Sequence, residues 1–122
     1  MKSDGTATLL AGLVADRDRG RLGKHLTDDV RLRALIPKGP VEVHGREATL
    51  DALDGWFGDH DIALQDARGE LVGDRLVVHY RLGFELVEGP HVMTQTWVAS
   101  IGEDGLIFRI DLLCSGFREV AA

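Results

Sequence analysis

The fold is decided by residues 76–86, LVVHYRLGFEL, in which apolar and polar side chains alternate along the chain. One face of this stretch carries only apolar or aromatic side chains: Leu76, Val78, Tyr80, Leu82, Phe84 and Leu86. A period of two over this length is typical of a β-strand with one buried face. Residues 91–101 and 106–114 show the same period, and glycine-containing turns separate the three stretches. The chain is therefore predicted to end in an antiparallel meander.

The part of the chain before the meander supplies the helices. Residues 6–18 predict an amphipathic helix. A helical turn near residue 22, strands over 30–36 and 41–43, a second helix over 45–58 and a weak strand over 62–72 follow. Helices that precede an antiparallel sheet are typical of the α+β class. We expect one domain over residues 1–122, in which a curved antiparallel sheet wraps over N-terminal helices as a cone and encloses an apolar pocket.

The composition argues against several kinds of partner. A net charge of −6, with basic residues scattered among acidic ones, disfavours binding to nucleic acid. No apolar run approaches the ~20 residues that span a bilayer, and no cleavable signal is recognised, so we expect no membrane partner. Cys114 is the only cysteine and cannot form an internal disulfide, which favours a cytoplasmic location. The histidines lack the spacing of metal ligands, and we expect neither a metal nor a cofactor.

Five short motifs follow one another in an order that resembles a known family. They are Arg19-Gly20 at the end of the first helix, Thr27-Asp28-Asp29-Val30, Gly45-Arg46-Glu47-Ala48, the run from Gly73 to Val78, and Asp104-Gly105-Leu106-Ile107. Together they resemble the SnoaL-like branch of the nuclear transport factor 2 superfamily over nearly the whole chain. The resemblance implies a cone-shaped fold, and homodimers are frequent in that family. The superfamily includes ketosteroid isomerases, epoxide hydrolases, polyketide cyclases, dehydratases and binding proteins without activity, so fold alone does not choose a chemistry.

Two chemistries of the resembled superfamily fit this sequence poorly. Alignment with the ketosteroid isomerases places their base, tyrosine and acid near Ala34, Leu13 and Trp97, none of which can do that work. The epoxide hydrolases use an Asp-Arg-Asp arrangement, and Arg81, Arg109 and Asp111 supply the residue types. The alternation places those three on the outward face, so this reading requires the strand register to slip by one residue.

The inward faces of the late strands predict the lining of the pocket. In the last strand Phe108, Ile110, Leu112 and Cys114 should face inward, whereas Arg109 and Asp111 should face outward. There they could pair across strands with Glu85, His79 or Arg81. The expected lining residues are Leu13, Ala34, Trp56, Val78, Tyr80, Met93, Gln95, Trp97, Ile110, Leu112 and Cys114. The convex face of the middle strand carries the row Val92, Thr94, Thr96, Val98 and Ser100, which favours a homodimer formed through that face.

Three polar residues are the candidates for catalysis or ligand binding: Tyr80, His91 and Gln95. Each has a structural alternative. A buried Gln95 can be satisfied by a ligand, by the backbone or by Tyr80. His91 can be an acid or base, or a solvated histidine after the Gly89-Pro90 turn. Tyr80 can be a core residue with a hydrated hydroxyl, and Cys114 is more simply an inert buried thiol than a nucleophile.

The sequence leaves open whether the protein is an enzyme. Our main hypothesis is that it binds a small hydrophobic metabolite and transforms it by cofactor-independent isomerisation, cyclisation, dehydration or hydrolysis. The alternative is a non-catalytic module that binds a ligand or dimerises. A third hypothesis is a domain whose cavity is filled by its own side chains.

Overall fold

The computed structural model describes residues 3–120. Its helices are α1 (Ser3–Ala15), α2 (Arg19–Gly23) and α3 (Arg46–Gly55). Its strands are β1 (Leu26–Ile36), β2 (Gly39–His44), β3 (Ala63–Val72), β4 (Arg75–Leu86), β5 (Gly89–Ile101), β6 (Ile107–Cys114) and β7 (Arg118–Glu119). The α+β class is confirmed and each predicted element is present, but β1 begins at Leu26 rather than at residue 30. β7 was not predicted.

The strands form one curved, unclosed sheet in the order β2-β1-β6-β5-β4-β3. Neighbouring strands are antiparallel except β1 and β6, which run parallel. The expectation of a wholly antiparallel sheet is therefore wrong at this pair. The two strands are separated by most of the chain, so no local pattern signals their relative direction. β7 pairs with the first residues of β5, beyond the point where β6 ends.

The helices cover one face of the sheet, which we call the inner face, and the opposite face is the outer face. α1 packs against β3 and β4, and α3 packs against β1. The alternation of β4 is confirmed, because its inward residues are buried while Arg81 and Glu85 are exposed. The core therefore lies between the helices and the apolar face that periodicity predicts.

A β-bulge changes the predicted facing at the start of β6. Ser100 pairs with Arg109 and Ile101 pairs with Ile107, so Phe108 is an extra residue in the ladder. Phe108 was expected to face inward, but it is 45% exposed, and Ile107 is buried in its place. Beyond the bulge the predicted alternation holds. Ile110 and Leu112 are buried, and Arg109 and Asp111 are only partly buried.

The approach of α1 to β3 depends on Gly69. A Cβ atom at this position would collide with the Val77 carbonyl oxygen and lie 2.6 Å from the Ala7 Cβ. The missing side chain lets the helix lie directly on the strand. The contact therefore determines how closely α1 packs against the sheet.

We expect Gly69→Ala to lower the free energy of unfolding by about 3 kcal/mol, because the backbone must shift to admit one methyl group. Denaturant unfolding followed by circular dichroism measures the change. Gly12→Ala is the matched control. No atom lies within 4 Å of its added Cβ, and loss of a helical glycine should stabilise α1 by up to ~1 kcal/mol. Equal stability of Gly69→Ala and wild type would contradict the close approach.

Candidate functional site

The interior that the sequence predicts as a pocket is occupied by a chain of hydrogen-bonded side chains. Tyr80, Gln95 and Trp97 are each 0% exposed. The Tyr80 hydroxyl donates to Gln95 Oε1, and the Trp97 Nε1–H donates to the Tyr80 oxygen at 2.8 Å. The two rings meet edge to face with centroids 6.2 Å apart. Tyr80 therefore links a strand partner, Gln95, to the indole beside it.

The amide end of Gln95 is satisfied by two sulfur atoms. Its Nε2 lies 3.3 Å from Cys114 Sγ and 3.7 Å from Met93 Sδ. The backbone N–H of Gly116 also donates to Cys114 Sγ, at 3.4 Å. Protein groups thus complete the hydrogen bonding of Gln95 and Tyr80, which is the structural alternative stated for Gln95. Neither side chain has a free polar atom to offer a ligand.

The other predicted lining residues belong to the same closed core. Leu13, Ala34, Val78, Met93, Ile110 and Leu112 are buried, whereas Trp56 and Cys114 are partly exposed. A recess between α1, α2 and α3, lined in part by Leu13, Leu22, Leu50 and Phe57, has a volume of about 20 Å³. That space holds one water molecule at most. The buried apolar side chains between the sheet and the helices pack into one cluster, which favours the third hypothesis.

Burial controls the ionisation of Tyr80. Removal from water raises the pKa of its phenol far above the ordinary value, and the hydrogen bond from Trp97 offsets only part of this. The raised pKa belongs to the folded state alone. Stability linked to Tyr80 is therefore complete below the unfolded pKa of about 10 and is lost as the pH rises towards the folded pKa.

Tyr80 is the only tyrosine in the chain, so its titration can be observed directly. We expect no phenolate absorbance from the folded protein when the pH is raised past about 10, and a loss of ~1.4 kcal/mol of stability per further pH unit. Phenolate should appear together with the loss of circular dichroism. The protein in concentrated guanidinium chloride, where Tyr80 titrates normally, is the control. Phenolate formation in the folded state would contradict a sealed interior.

An open depression lies at the edge of the sheet where β4 ends and β5 begins, and we call it the terminal groove. Its volume is about 410 Å³. Its lining residues are Asp59, His60, Asp61, Ile62, Ala63, Gln65, Gly83, Phe84, Glu85, Pro90, His91 and Val120. Of the three polar candidates from the sequence, only His91 lines it. The groove combines the α3–β3 loop, three strands and the C-terminal segment, so no single motif could have revealed it.

Aromatic rings form one part of the terminal groove. The His60 and Phe84 rings meet edge to face with centroids 6.5 Å apart, and both also contact Phe117. Phe84 further packs on Phe57, with centroids 6.1 Å apart. This packing holds the rings together, and His60 supplies the exposed ring surface of the groove, because Phe84 is only 3% exposed.

The tautomer of His91 follows from its hydrogen bond. Its Nδ1 lies 2.9 Å from the Gly89 carbonyl oxygen. A carbonyl can only accept, so we assign the proton of the neutral ring to Nδ1 and the free lone pair to Nε2. His91 is also the cross-strand partner of Phe84. The ring is thus oriented by the Gly89 turn and can accept a proton at Nε2.

Arg17 fixes the loop that carries His60. Its guanidinium binds Asp54 Oδ1 at 2.5 Å, the Gly58 carbonyl at 2.6 Å and the His60 carbonyl at 3.0 Å. The group also lies over the Phe57 ring, 5.8 Å from its centroid. Sequence analysis missed this role, because a charged residue after a helix carries no signal of the loop it will meet.

The terminal groove is electrostatically negative. Asp59, Asp61 and Glu85 line it, and no lysine or arginine does. None of these three carboxylates forms an ion pair within residues 3–120. In the same part of the chain, no group of three or more metal-ligating side chains is close enough to hold a metal ion. The groove therefore offers apolar surface surrounded by uncompensated negative charge.

The outer face carries exposed apolar side chains on neighbouring strands. Leu35 and Leu113 are register partners on β1 and β6, and they are 54% and 58% exposed. Val98 lies close by on β5, and a shallow depression of about 750 Å³ runs along these strands. Arg109 forms an ion pair with Asp111 on its own strand, at 3.2 Å. The expected pairing of these two residues with Glu85, His79 or Arg81 is wrong.

Comparison with known proteins finds structures of similar fold. No family model and no curated protein matches the sequence. A candidate isomerase from Bacillus subtilis has a similar structure, with a TM-score of 0.71, 11% identity, and coverage of 93% of this chain and 87% of that one. AusH from Aspergillus nidulans has a TM-score of 0.64 and 18% identity, covering 90% of this chain and 81% of that one.

A third similar structure comes from work on designed proteins with diverse pockets. It has a TM-score of 0.55 and 20% identity, and covers 75% of this chain and 80% of that one. At these identities the likeness is one of fold. The fold that these structures share with this chain is a curved sheet with helices packed on one face. No helix within residues 3–120 is long and apolar enough to cross a membrane.

Proposed function

We propose that this protein is a SnoaL-like domain that binds a small, largely hydrophobic molecule in the terminal groove rather than in the interior of the cone. One observation carries the proposal: open volume, aromatic surface and ionisable side chains coincide there. The volume of about 410 Å³ exceeds the lower end of ligand sites, which is ~300 Å³. The interior, by contrast, holds the hydrogen-bonded side chains of Tyr80, Gln95 and Trp97, none of which is exposed.

The lining of the groove selects the charge of the ligand. His60, which is exposed, favours a flat apolar body that can lie against its ring, whereas Phe84 beside it is only 3% exposed. Asp59, Asp61 and Glu85 favour a neutral or cationic polar group and repel an anion. The proposed ligand class is therefore a small aromatic or alicyclic molecule with a neutral or basic substituent.

The proposal includes a role for His91 if the bound molecule is transformed. With Nδ1–H committed to the Gly89 carbonyl, Nε2 is the atom that accepts a proton. Isomerisation and dehydration need one such acceptor and one donor, and no cofactor. These two classes fit His91 better than they fit the sealed Tyr80 and Gln95 pair.

Three indole compounds that differ in charge test the proposed site. We expect tryptamine to bind more tightly than indole, and indole more tightly than indole-3-acetate, with about fivefold between the extremes. Amide chemical shifts in nuclear magnetic resonance measure both affinity and location. Perturbations should lie in residues 59–63, 83–85 and 90–91.

Matched glutamate variants separate the groove from general surface charge. Glu85→Gln should reduce the preference for tryptamine, because Glu85 lines the groove. Glu88→Gln, an exposed residue of the next turn, should leave that preference unchanged. Perturbations confined to other surfaces, or an absence of the charge order, would overturn the proposed site.

A second candidate function is dimerisation through the outer face, and the exposure of Leu35 and Leu113 favours it. Apolar side chains on adjacent strands of an open sheet are the surface on which a second sheet can pack. Arg33, Glu42 and Asp111 lie beside them and place both charge signs around the apolar patch. A second copy of this chain, with the same face, is the proposed partner.

Light scattering at micromolar concentration tests the dimer. We expect a dimer for the wild type and a monomer for Leu113→Glu, because the buried carboxylate would have no partner in the interface. Val87→Glu is the control. It introduces the same charge at a fully exposed turn residue and should leave the dimer intact. A monomeric wild type would remove this candidate function.

A further inference from the structure

A second β-bulge aims a side chain at the terminal groove. Leu64 pairs with Leu82, and Asp66 pairs with Arg81, so Gln65 is the extra residue on β3. Bulges in edge strands redirect side chains and are over-represented next to functional sites. β3 is the last strand of the sheet. Gln65 is therefore free of the ladder that constrains its neighbours.

The Gln65 side chain lies across the backbone of Gly83. A Cβ added to Gly83 would collide with Gln65 Nε2 and lie 3.1 Å from Gln65 Cδ. Gly83 therefore leaves room for the carboxamide to rest on β4, within the lining of the groove. Glycine is required here because a Cβ atom would collide with the carboxamide, and not because the backbone adopts a conformation that only glycine allows.

The carboxamide has unused hydrogen-bonding capacity. Neither its oxygen nor its nitrogen makes a hydrogen bond to another group of residues 3–120. An amide offers two donors and one acceptor, and it stands here among carboxylates that only accept. Gln65 can donate to a neutral oxygen or nitrogen and can also accept from a basic group.

We propose that Gln65 is a specificity-determining residue of the terminal groove, seated by Gly83 so that its carboxamide hydrogen-bonds the polar substituent of the ligand. This inference rests on the proposed ligand site and goes further, because it names the residue that recognises the polar substituent of the ligand. A hydrogen bond of this kind contributes about 0.5–1.5 kcal/mol, so its loss weakens binding by about two- to tenfold.

A double-mutant cycle with tryptamine as the probe tests the inference. Gln65→Ala should weaken tryptamine binding by about two- to tenfold. Gly83→Ala should weaken it similarly, because the new methyl group displaces the carboxamide from its seat. In the Gln65→Ala background, Gly83→Ala should have no further effect, since nothing remains to be displaced. Chemical-shift titration gives the affinity, and thermal unfolding checks that each variant is folded.

A variant that changes the charge at position 65 adds a second readout, the preference between cationic and anionic ligands. A purely structural role of Gln65 would not change that preference. Gln65→Lys should reduce the preference for tryptamine over indole-3-acetate, because the ammonium offsets part of the negative charge of the groove. Leu64→Lys is the matched control, since Leu64 is exposed on the same strand but does not line the groove. That variant should keep the wild-type preference.

The outcomes distinguish this inference from the proposed site itself. If tryptamine perturbs the groove and its affinity is unchanged by Gln65→Ala, the specificity role is wrong and the ligand site stands. Additive effects of Gln65→Ala and Gly83→Ala also overturn the inference, because they would show that the two residues act on binding independently. If tryptamine causes no perturbation in the groove, both the site and the inference fall.

Discussion

The hydrogen-bonded chain from Trp97 through Tyr80 to Gln95 determines how the rest of the molecule can be used. Three large side chains on the inner face, all without solvent exposure, occupy the space between the sheet and the helices. Their polar atoms satisfy one another, so the core tolerates them without a ligand. Loss of one member would leave the next with an unpaired buried group, at a cost of about 1–3 kcal/mol. The cone is thus closed by polar groups as well as apolar ones.

Because these side chains occupy the interior, the binding that we propose falls to the surface, where two open regions are the candidates. The terminal groove combines aromatic rings with three unpaired carboxylates and two histidines. The outer face combines exposed leucines with charges of both signs. These regions differ in chemistry, and each supports a different function. Arg17 connects the groove to the core, because it binds the loop that carries His60 and also lies on Phe57.

Irregularities in the strands shape both regions. The bulge at Phe108 turns an aromatic side chain outward, and the bulge at Gln65 releases a carboxamide from the ladder. Glycines in the same strands let neighbouring groups approach the backbone closely. Gly69 admits α1 onto β3, and Gly83 admits Gln65 onto β4. At Gly69 and at Gly83, a single methyl group would occupy the space that the neighbouring group now fills. Both contacts therefore depend on the absence of a side chain.

The sequence by itself determined the α+β class, the extents of the long strands and the buried faces of β4 and β5, because these follow from local periodicity. It also identified Gln95 and Tyr80 as possible partners. Only the tertiary structure decided that β1 runs parallel to β6, that Phe108 faces outward and that Trp97 joins Tyr80 and Gln95 in one hydrogen-bonded chain. Parallel pairing and bulges are set by contacts between distant strands, and the packing of the interior depends on how closely α1 approaches Gly69. The terminal groove was beyond sequence reasoning for the same reason, since its lining comes from segments that meet only in the folded chain.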